Sequence, residues 1–118
     1  MQTTNVKAFG TPAADAPLNE MRIDRRAVMA KDIEIEIMYC GVCHSDLHFA
    51  KNDWGMTNYP VVPGHEIVGK VTQVGSAVTG IKVGDFAAVG CLVDSCRTCP
   101  SCEKDLEQYC LNGWVGTY

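Results

Sequence analysis

The sequence predicts a mainly β domain, a small barrel or sandwich with little helix. Three observations predict it. Short candidate strands recur between Gly and Pro turns from Val6 to Val93. One of them, Ile33-Glu34-Ile35-Glu36-Ile37, alternates apolar and charged residues, the pattern of a strand with one buried face. After Asp94 the alternation gives way to a lobe dense in cysteine, over residues 94–112.

In chain order, Val6 to Phe9 forms a first strand, and Thr11 to Pro17, rich in Ala and Pro, is a loop. Leu18 to Asp24 is a weaker strand. The Ile33–Ile37 strand runs on into Cys40. Ser45-Asp46 supplies cap residues for a short helix from about Asp46 to Ala50. Asn52 to Pro63 is a loop closed by Tyr59-Pro60 and Pro63-Gly64. Glu66 to Val74 is a strand, with Gly69 and Gly75 at bend or bulge positions. Val83-Gly84-Asp85 is a turn, Phe86 to Val93 a buried strand, and Glu103 to Leu106 one helical turn.

The 118 residues fit one domain, able to bury roughly two-thirds of its unfolded surface. Hydrophobic content of 47% with 20% charged residues is that of a globular chain. A net charge of −4 and the lack of a basic stripe exclude a nucleic-acid partner. The longest apolar run, Phe86 to Val93, is far short of a membrane span, so no membrane partner is expected. The N-terminus lacks the basic-then-apolar pattern of a secretion signal, and the chain reads as cytoplasmic. In that reducing compartment seven cysteines point to metal rather than to disulfides.

The cysteines divide into groups. Cys96, Cys99, Cys102 and Cys110 follow C-x2-C-x2-C-x7-C. Two-residue spacers let sulfurs converge, and four thiolates at tetrahedral angles make a closed structural zinc site. An iron–sulfur cluster or a disulfide loop would use the same residues. Cys40 and Cys91 sit in strand-like apolar settings and read as buried free thiols.

The second constellation is Cys40-Gly41-Val42-Cys43-His44-Ser45-Asp46-Leu47-His48 with Gly64-His65-Glu66. It holds all three histidines of the chain. Thiol, imidazole and carboxylate together suit a borderline-soft metal. Cys43 and His65 are two ligands, Glu66 is a third or an outer carboxylate, and Asp46 is the candidate to orient His65 through its ring N–H. Pairing Cys40 and Cys43 with two later cysteines as a zinc ribbon is a competing arrangement, but it breaks the four-cysteine cluster and leaves His65 idle.

These residues, with Val83-Gly84-Asp85 and the four-cysteine lobe, resemble the N-terminal half of the catalytic domain of zinc-dependent medium-chain alcohol dehydrogenases. Lys51-Asn52-Asp53-Trp54-Gly55-Met56, Asn58-Tyr59-Pro60 and Asp105-Leu106-Glu107-Gln108-Tyr109-Cys110 resemble the cinnamyl alcohol dehydrogenase and aldehyde reductase branch. The resemblance covers nearly the whole chain from Val6. It implies a GroES-like, partly open β-barrel with short helices and a zinc-binding cysteine lobe. It also implies two zinc ions, one structural and one catalytic, and NADP(H) or NAD(H) in the full-length enzyme. The substrate would be a small alcohol or aldehyde, and full-length members would be homodimers or tetramers.

Matched to the family motif, Cys43 and His65 are catalytic zinc ligands and Glu66 the acidic neighbour that approaches the metal. Ser45 starts the proton relay at the substrate oxygen, and His48 ends it. Asp46 is the partner of the zinc-bound histidine. His44 contacts the cofactor pyrophosphate, and Trp54 is an aromatic wall of the substrate pocket. Cys96, Cys99, Cys102 and Cys110 hold the structural zinc. Ser45 as a helix cap, His48 as a surface helix residue and Trp54 as loop packing are the plainer readings of the same positions.

A third catalytic cysteine and a G-x-G-x-x-G nucleotide-binding unit have no counterpart in these residues. The expectation is an N-terminal part of a GroES-like catalytic domain over residues 1–118, inactive alone, from an enzyme that interconverts primary alcohols and aldehydes. The alternative is a non-enzymatic zinc-binding module from a truncated gene.

Overall fold

A computed structural model describes residues 3–118. Seven strands and one helix follow in the order β1 (Thr3–Gly10), β2 (Asn19–Arg26), β3 (Ile33–Gly41), α1 (His44–Lys51), β4 (Glu66–Val74), β5 (Phe86–Val89), β6 (Leu92–Asp94) and β7 (Val115–Gly116). Two single 3₁₀ turns, Cys102–Lys104 and Glu107–Tyr109, lie in the cysteine lobe where one helical turn is expected. The mainly β class holds. The strands form three antiparallel sheets, β1-β2, β3-β4-β5 and β6-β7, and not a closed barrel.

The central sheet positions the site. Gly41 at the end of β3 pairs with Glu66 at the start of β4, so the segments carrying Cys43 and His65 leave adjacent strand ends. The register shifts twice. Ile37 faces Gly69 while Tyr39 faces Val68, which leaves Met38 as an extra residue in β3. A Cβ at Gly69 would strike the Glu36 carbonyl and the Ile35 side chain, so glycine is required where the strands close on the bulge. The one-sided burial expected of Ile33–Ile37 fades along the strand, since Ile37 lies opposite Gly69, which has no side chain to cover it. Ile33 and Ile35 are half-buried, whereas Ile37 is 58% exposed.

Three expectations need correction. The helix begins earlier, at His44, and its cap is Cys43, not Ser45-Asp46. Cys43 holds the extended conformation of a cap (φ −103°, ψ 151°), and Asp46, in the first turn, reaches back to its N–H at 2.9 Å. Phe86 to Val93 is not one buried strand. It breaks at Gly90-Cys91 into β5, an edge strand on β4, and β6, which pairs elsewhere with β7. Phe86 is 70% exposed because an edge strand here has no second layer over it. Cys40 and Cys91 are also exposed rather than buried. Cys40 follows the bulge on β3, which is the other edge of that sheet, and Cys91 lies at the break.

The core is thin. Val71 at 1% exposure and Thr11 at 0% are its most enclosed side chains, joined by Val61 and Ala50. Thr11 and Val61 exchange backbone hydrogen bonds at 2.9 and 3.0 Å, which ties the end of β1 to the loop leading into His65. The Thr11 hydroxyl donates within the Thr11–Pro17 loop, to the carbonyls of Ala13 and Ala16. Buried in this way, the threonine leaves no unsatisfied polar atom. The Tyr59–Pro60 peptide is cis.

Gly75 sits against the turn before β3, and its N–H donates to the Asp32 carbonyl at 2.8 Å. A Cβ there would collide with the backbone oxygens of Met29 and Ala30, which cannot swing aside as a side chain can. Gly75→Ala is expected to destabilise the fold by about 1–3 kcal/mol, read from urea midpoints. A midpoint equal to the parent's would contradict that packing.

In the same turn Asp32 accepts from the Arg26 guanidinium and from the Met29 N–H at 2.8 Å. The guanidinium hydrogen bond, then the backbone N–H, pull the Asp32 carboxyl down to about 2. A carboxyl lowered on folding stabilises the folded state fully above its ordinary range, about pH 4, and loses that contribution as pH falls through about 2. Asp32→Asn should therefore flatten the acid limb of stability between those values. Parallel acid limbs for the two proteins would show that the pair carries none of it.

Candidate metal centres

Two clusters of ligand side chains form among the described residues: Cys96, Cys99, Cys102 and Cys110, and Cys43, His65 and Glu66. In each, the ligand atoms lie within 4.8 Å of one another. Of the cysteines and histidines, Cys40, Cys91, His44 and His48 lie outside both.

The four-cysteine lobe has almost no apolar core of its own. Its backbone bends round the sulfurs instead, with Arg97 (φ 60°) and Asp105 (φ 58°) in the left-handed region. Cys99 and Cys102 are buried. Their sulfurs are 3.5 Å apart, and Cys96 Sγ lies 3.9 Å from Cys102 Sγ. Four sulfurs at about 2.3 Å from one tetrahedral ion stand about 3.8 Å from each other, so the spacing fits such an ion.

The electrostatics agree. The Asn112 side chain, then the Thr98 backbone N–H, pull the Cys96 thiol down to about 5. Hydrogen bonding from Ser95 favours the Cys102 thiolate, yet burial and the neighbouring Cys99 and Cys110 sulfurs push it up to about 11. Backbone N–H groups of Cys102 and Leu111 lower Cys99 as well, so thiolates form readily at Cys96 and Cys99 while Cys102 meets their charge. A dication removes that conflict, and all seven cysteines are free to meet one.

The second cluster is assembled at the N-terminus of α1. Cys43 caps the helix, His65 and Glu66 lie where the loop enters β4, and the register brings Glu66 beside Gly41. A Cβ at Gly41 would collide with the Glu66 side chain, so glycine makes room for the carboxylate. The Ser45 hydroxyl donates to Cys43 Sγ at 3.2 Å, and this hydrogen bond, with the Ser45 N–H, lowers the thiol.

His65, its side chain 11% exposed, has Nδ1 2.9 Å from Asp46 Oδ1. A carboxylate only accepts, so Nδ1 carries the hydrogen and Nε2 keeps the lone pair a metal needs. Burial alone would lower His65, but the Cys43 thiolate and Asp46 outweigh it and raise it. Asp46 is likewise desolvated, yet Tyr118, the Cys43 N–H and His65 hold it below the ordinary carboxylate value. Burial and then Asp46 push the Tyr118 hydroxyl up to about 12.

The remaining candidates surround this cluster. His48 Nδ1 is 2.7 Å from Asp53 Oδ2, and its ring lies 4.8 Å from that of His44 and 4.9 Å from that of Trp54. Trp54 also meets Phe49 edge-on at 5.4 Å and is half exposed. Ser45 is turned towards Cys43, not paired with His48. Two contacts escaped the sequence reading. Asp53 lies five positions after His48, just past the left-handed cap that ends α1, so no helical spacing flags it. Tyr118 lies 72 positions from Asp46, and no local pattern connects them. A depression of about 410 Å³ is lined by Ala14–Leu18 with Leu47, Ala50 and Lys51, and contains none of these ligands. It is open and mostly apolar, so the clusters, not this groove, carry the chemistry.

Residues 29–118 match the alcohol dehydrogenase GroES-like domain. The chain belongs to this family. It is 56% identical over 115 residues to the 8-hydroxygeraniol dehydrogenase of Catharanthus roseus, covering 96% of this chain and 32% of the relative. It superposes on a cinnamyl alcohol dehydrogenase of Sorghum bicolor with a TM-score of 0.91 and 45% identity, over 97% of this chain and 32% of that one. It superposes on the CAD of Helicobacter pylori complexed with NADP(H) with a TM-score of 0.93 and 39% identity, over 99% and 33%. The chain thus spans about a third of the length of the curated relatives it matches. Among the described residues no helix of this GroES-like chain is long and apolar enough to cross a membrane.

The four-cysteine cluster makes a direct prediction. Cys99→Ser removes one of its two buried sulfurs, and native mass spectrometry with zinc present should show one tightly held ion fewer per chain. Limited proteolysis should cut the lobe faster. An unchanged ion count would mean that the four sulfurs do not act as one site.

Proposed function

We propose that this chain forms the metal-binding part of a zinc-dependent alcohol dehydrogenase that interconverts primary alcohols and aldehydes with NADP(H). The observation that carries the reading is the meeting of Cys43, His65 and Glu66 at the N-terminus of α1, with the Nδ1 side of His65 already held by Asp46. Family membership and the NADP(H) complex of the structural relative support the cofactor and the reaction class. Residues 1–118 act as the N-terminal part of the catalytic domain, with residues 94–112 as its structural-zinc lobe.

A zinc ion at Cys43 and His65 supplies a Lewis acid that polarises a carbonyl or acidifies an alcohol. The other roles belong to side chains of this chain. Cys43 offers a thiolate eased by Ser45, His65 offers Nε2, and Glu66 stands close enough to approach the ion. Asp46 fixes the ring of His65. Ser45 holds the proton that an alcohol substrate loses, turning its hydroxyl from Cys43 to do so. His48 carries a proton outwards at its ring, which Asp53 steadies through Nδ1. His44, beside His48 on the exposed first turn, meets the cofactor's pyrophosphate, and Trp54 walls the substrate pocket. The four-cysteine lobe offers no open ligand position and serves the fold.

The test uses the protein that carries this segment, with NADPH and a primary aldehyde such as cinnamaldehyde. Aldehyde-dependent NADPH oxidation is expected, together with two zinc ions per chain. His65→Ala should abolish the oxidation and remove one zinc, leaving the ion of the cysteine lobe. Full activity in that variant, or a retained second ion, would refute the assignment.

A further inference from the structure

Asp46 and His65 share a third partner that the roles above do not use. The Tyr118 hydroxyl lies 2.6 Å from Asp46 Oδ1 and 2.9 Å from His65 Nδ1. Asp46 Oδ1 also accepts from the Gly64 N–H at 3.1 Å, and Oδ2 accepts from the Cys43 N–H at 2.9 Å. The carboxylate side chain is 9% exposed and receives four protein donors. Such a group, largely removed from water, depends on donors from the protein.

The hydrogens can be placed. Tyr118 has one hydroxyl hydrogen, and the shorter contact assigns it to Asp46. Its oxygen can then only accept at His65, which puts the second hydrogen on Nδ1. Both neighbours therefore demand the same tautomer. The ring is held in orientation too. Tyr118 packs edge-on against Phe49 of α1 at 4.8 Å and 86°, and lies tilted against His65 at 5.4 Å.

Tyr118 is itself anchored from the other centre. The preceding residue, Thr117, donates its N–H to the Cys91 carbonyl at 3.2 Å and its hydroxyl to the Gly90 carbonyl. β7, just before it, pairs with β6, and these two strands are the entry to and exit from the cysteine lobe. The lobe's return strand thus delivers Tyr118 to the first cluster.

We propose that Tyr118 is a positioning residue for the Cys43–His65–Glu66 centre, fixing the His65 ring through a hydroxyl shared between Asp46 and Nδ1. The proposal rests on the reading of that cluster as the metal centre, but it concerns a hydrogen bond that is measurable without turnover. By the same path the lobe at residues 94–112 helps to set the geometry of the centre at α1.

The experiment is long-range ¹H–¹⁵N NMR of His65 in the protein as purified, beside Tyr118→Phe, which keeps the ring packing and removes only the hydroxyl. The parent should show hydrogen on Nδ1 in slow exchange with water, and a Tyr118 hydroxyl resonance with a cross-peak to it. In the variant the backbone spectrum should persist while the Nδ1 hydrogen exchanges faster. Cobalt(II) affinity at Cys43–His65 should fall roughly 10–100-fold, with the cysteine-lobe site unchanged. Unaltered exchange and cobalt affinity in Tyr118→Phe would overturn the proposal. If the variant does not fold, the parent decides alone: no protected Tyr118 hydroxyl and no slow Nδ1 hydrogen would overturn it equally. Failure of the aldehyde assay with these signals intact would strike the enzymatic reading and leave Tyr118 in its place.

Discussion

The site depends on one carboxylate. Asp46 accepts from the Cys43 N–H, the Gly64 N–H, the His65 ring and the Tyr118 hydroxyl, and so ties the start of α1 to two segments distant in sequence, Gly64-His65 and Tyr118. Each bond serves two ends. The bond to Cys43 closes the first turn of α1 and fixes the backbone of a ligand. The bond to Gly64 fixes the backbone next to the second ligand, in a residue whose φ of +120° only glycine adopts readily. The bond to His65 selects which ring nitrogen stays free. A buried carboxylate with four donors has no low-cost alternative arrangement, and that makes it a rigid hub.

The two clusters are built on different physical terms. At α1 the ligands come from a helix cap and from a strand entry that stand side by side because β3 and β4 pair there. Strand register does the assembly, and bonds to Asp46 refine it. In the cysteine lobe there is no sheet or packed core to do this. The chain turns through two left-handed residues and two 3₁₀ turns, and its thiols sit at distances where mutual repulsion opposes full ionisation. An ion is the term that reverses that repulsion, so the lobe's shape and its metal are one problem and not two.

Close approach of backbones is the other constraint. Gly69, Gly75 and Gly41 each stand where a Cβ would meet a carbonyl oxygen or the Glu66 side chain. These contacts bring β3 against β4 and leave Glu66 its place. In return, one layer of sheet leaves Ile37, Tyr39 and Phe86 open to solvent. Pairing and close packing along the strands, more than a deep core, hold this region together.

Much of this was legible from residues alone. Alternation marked β3, and the Glu66–Val74 run matched β4 end to end, since both follow from local period and glycine punctuation. The cysteine spacing and the Cys-His-Ser-Asp and Gly-His-Glu motifs named both ligand groups, because ligand chemistry is written in residue type and short spacing. What the sequence could not decide was long-range. The Met38 bulge comes from how two strands meet, and Ile37 is open because its partner across the sheet is Gly69, which offers no side chain. The division of Phe86–Val93 depends on which partner each half finds. The exposure of Cys40 and Cys91 depends on which sheet faces are covered. Tyr118 reaches Asp46 only because β6 and β7 pair, across a separation that carries no local signal. Residue types determined what could bind; strand pairing and burial decided which atoms meet.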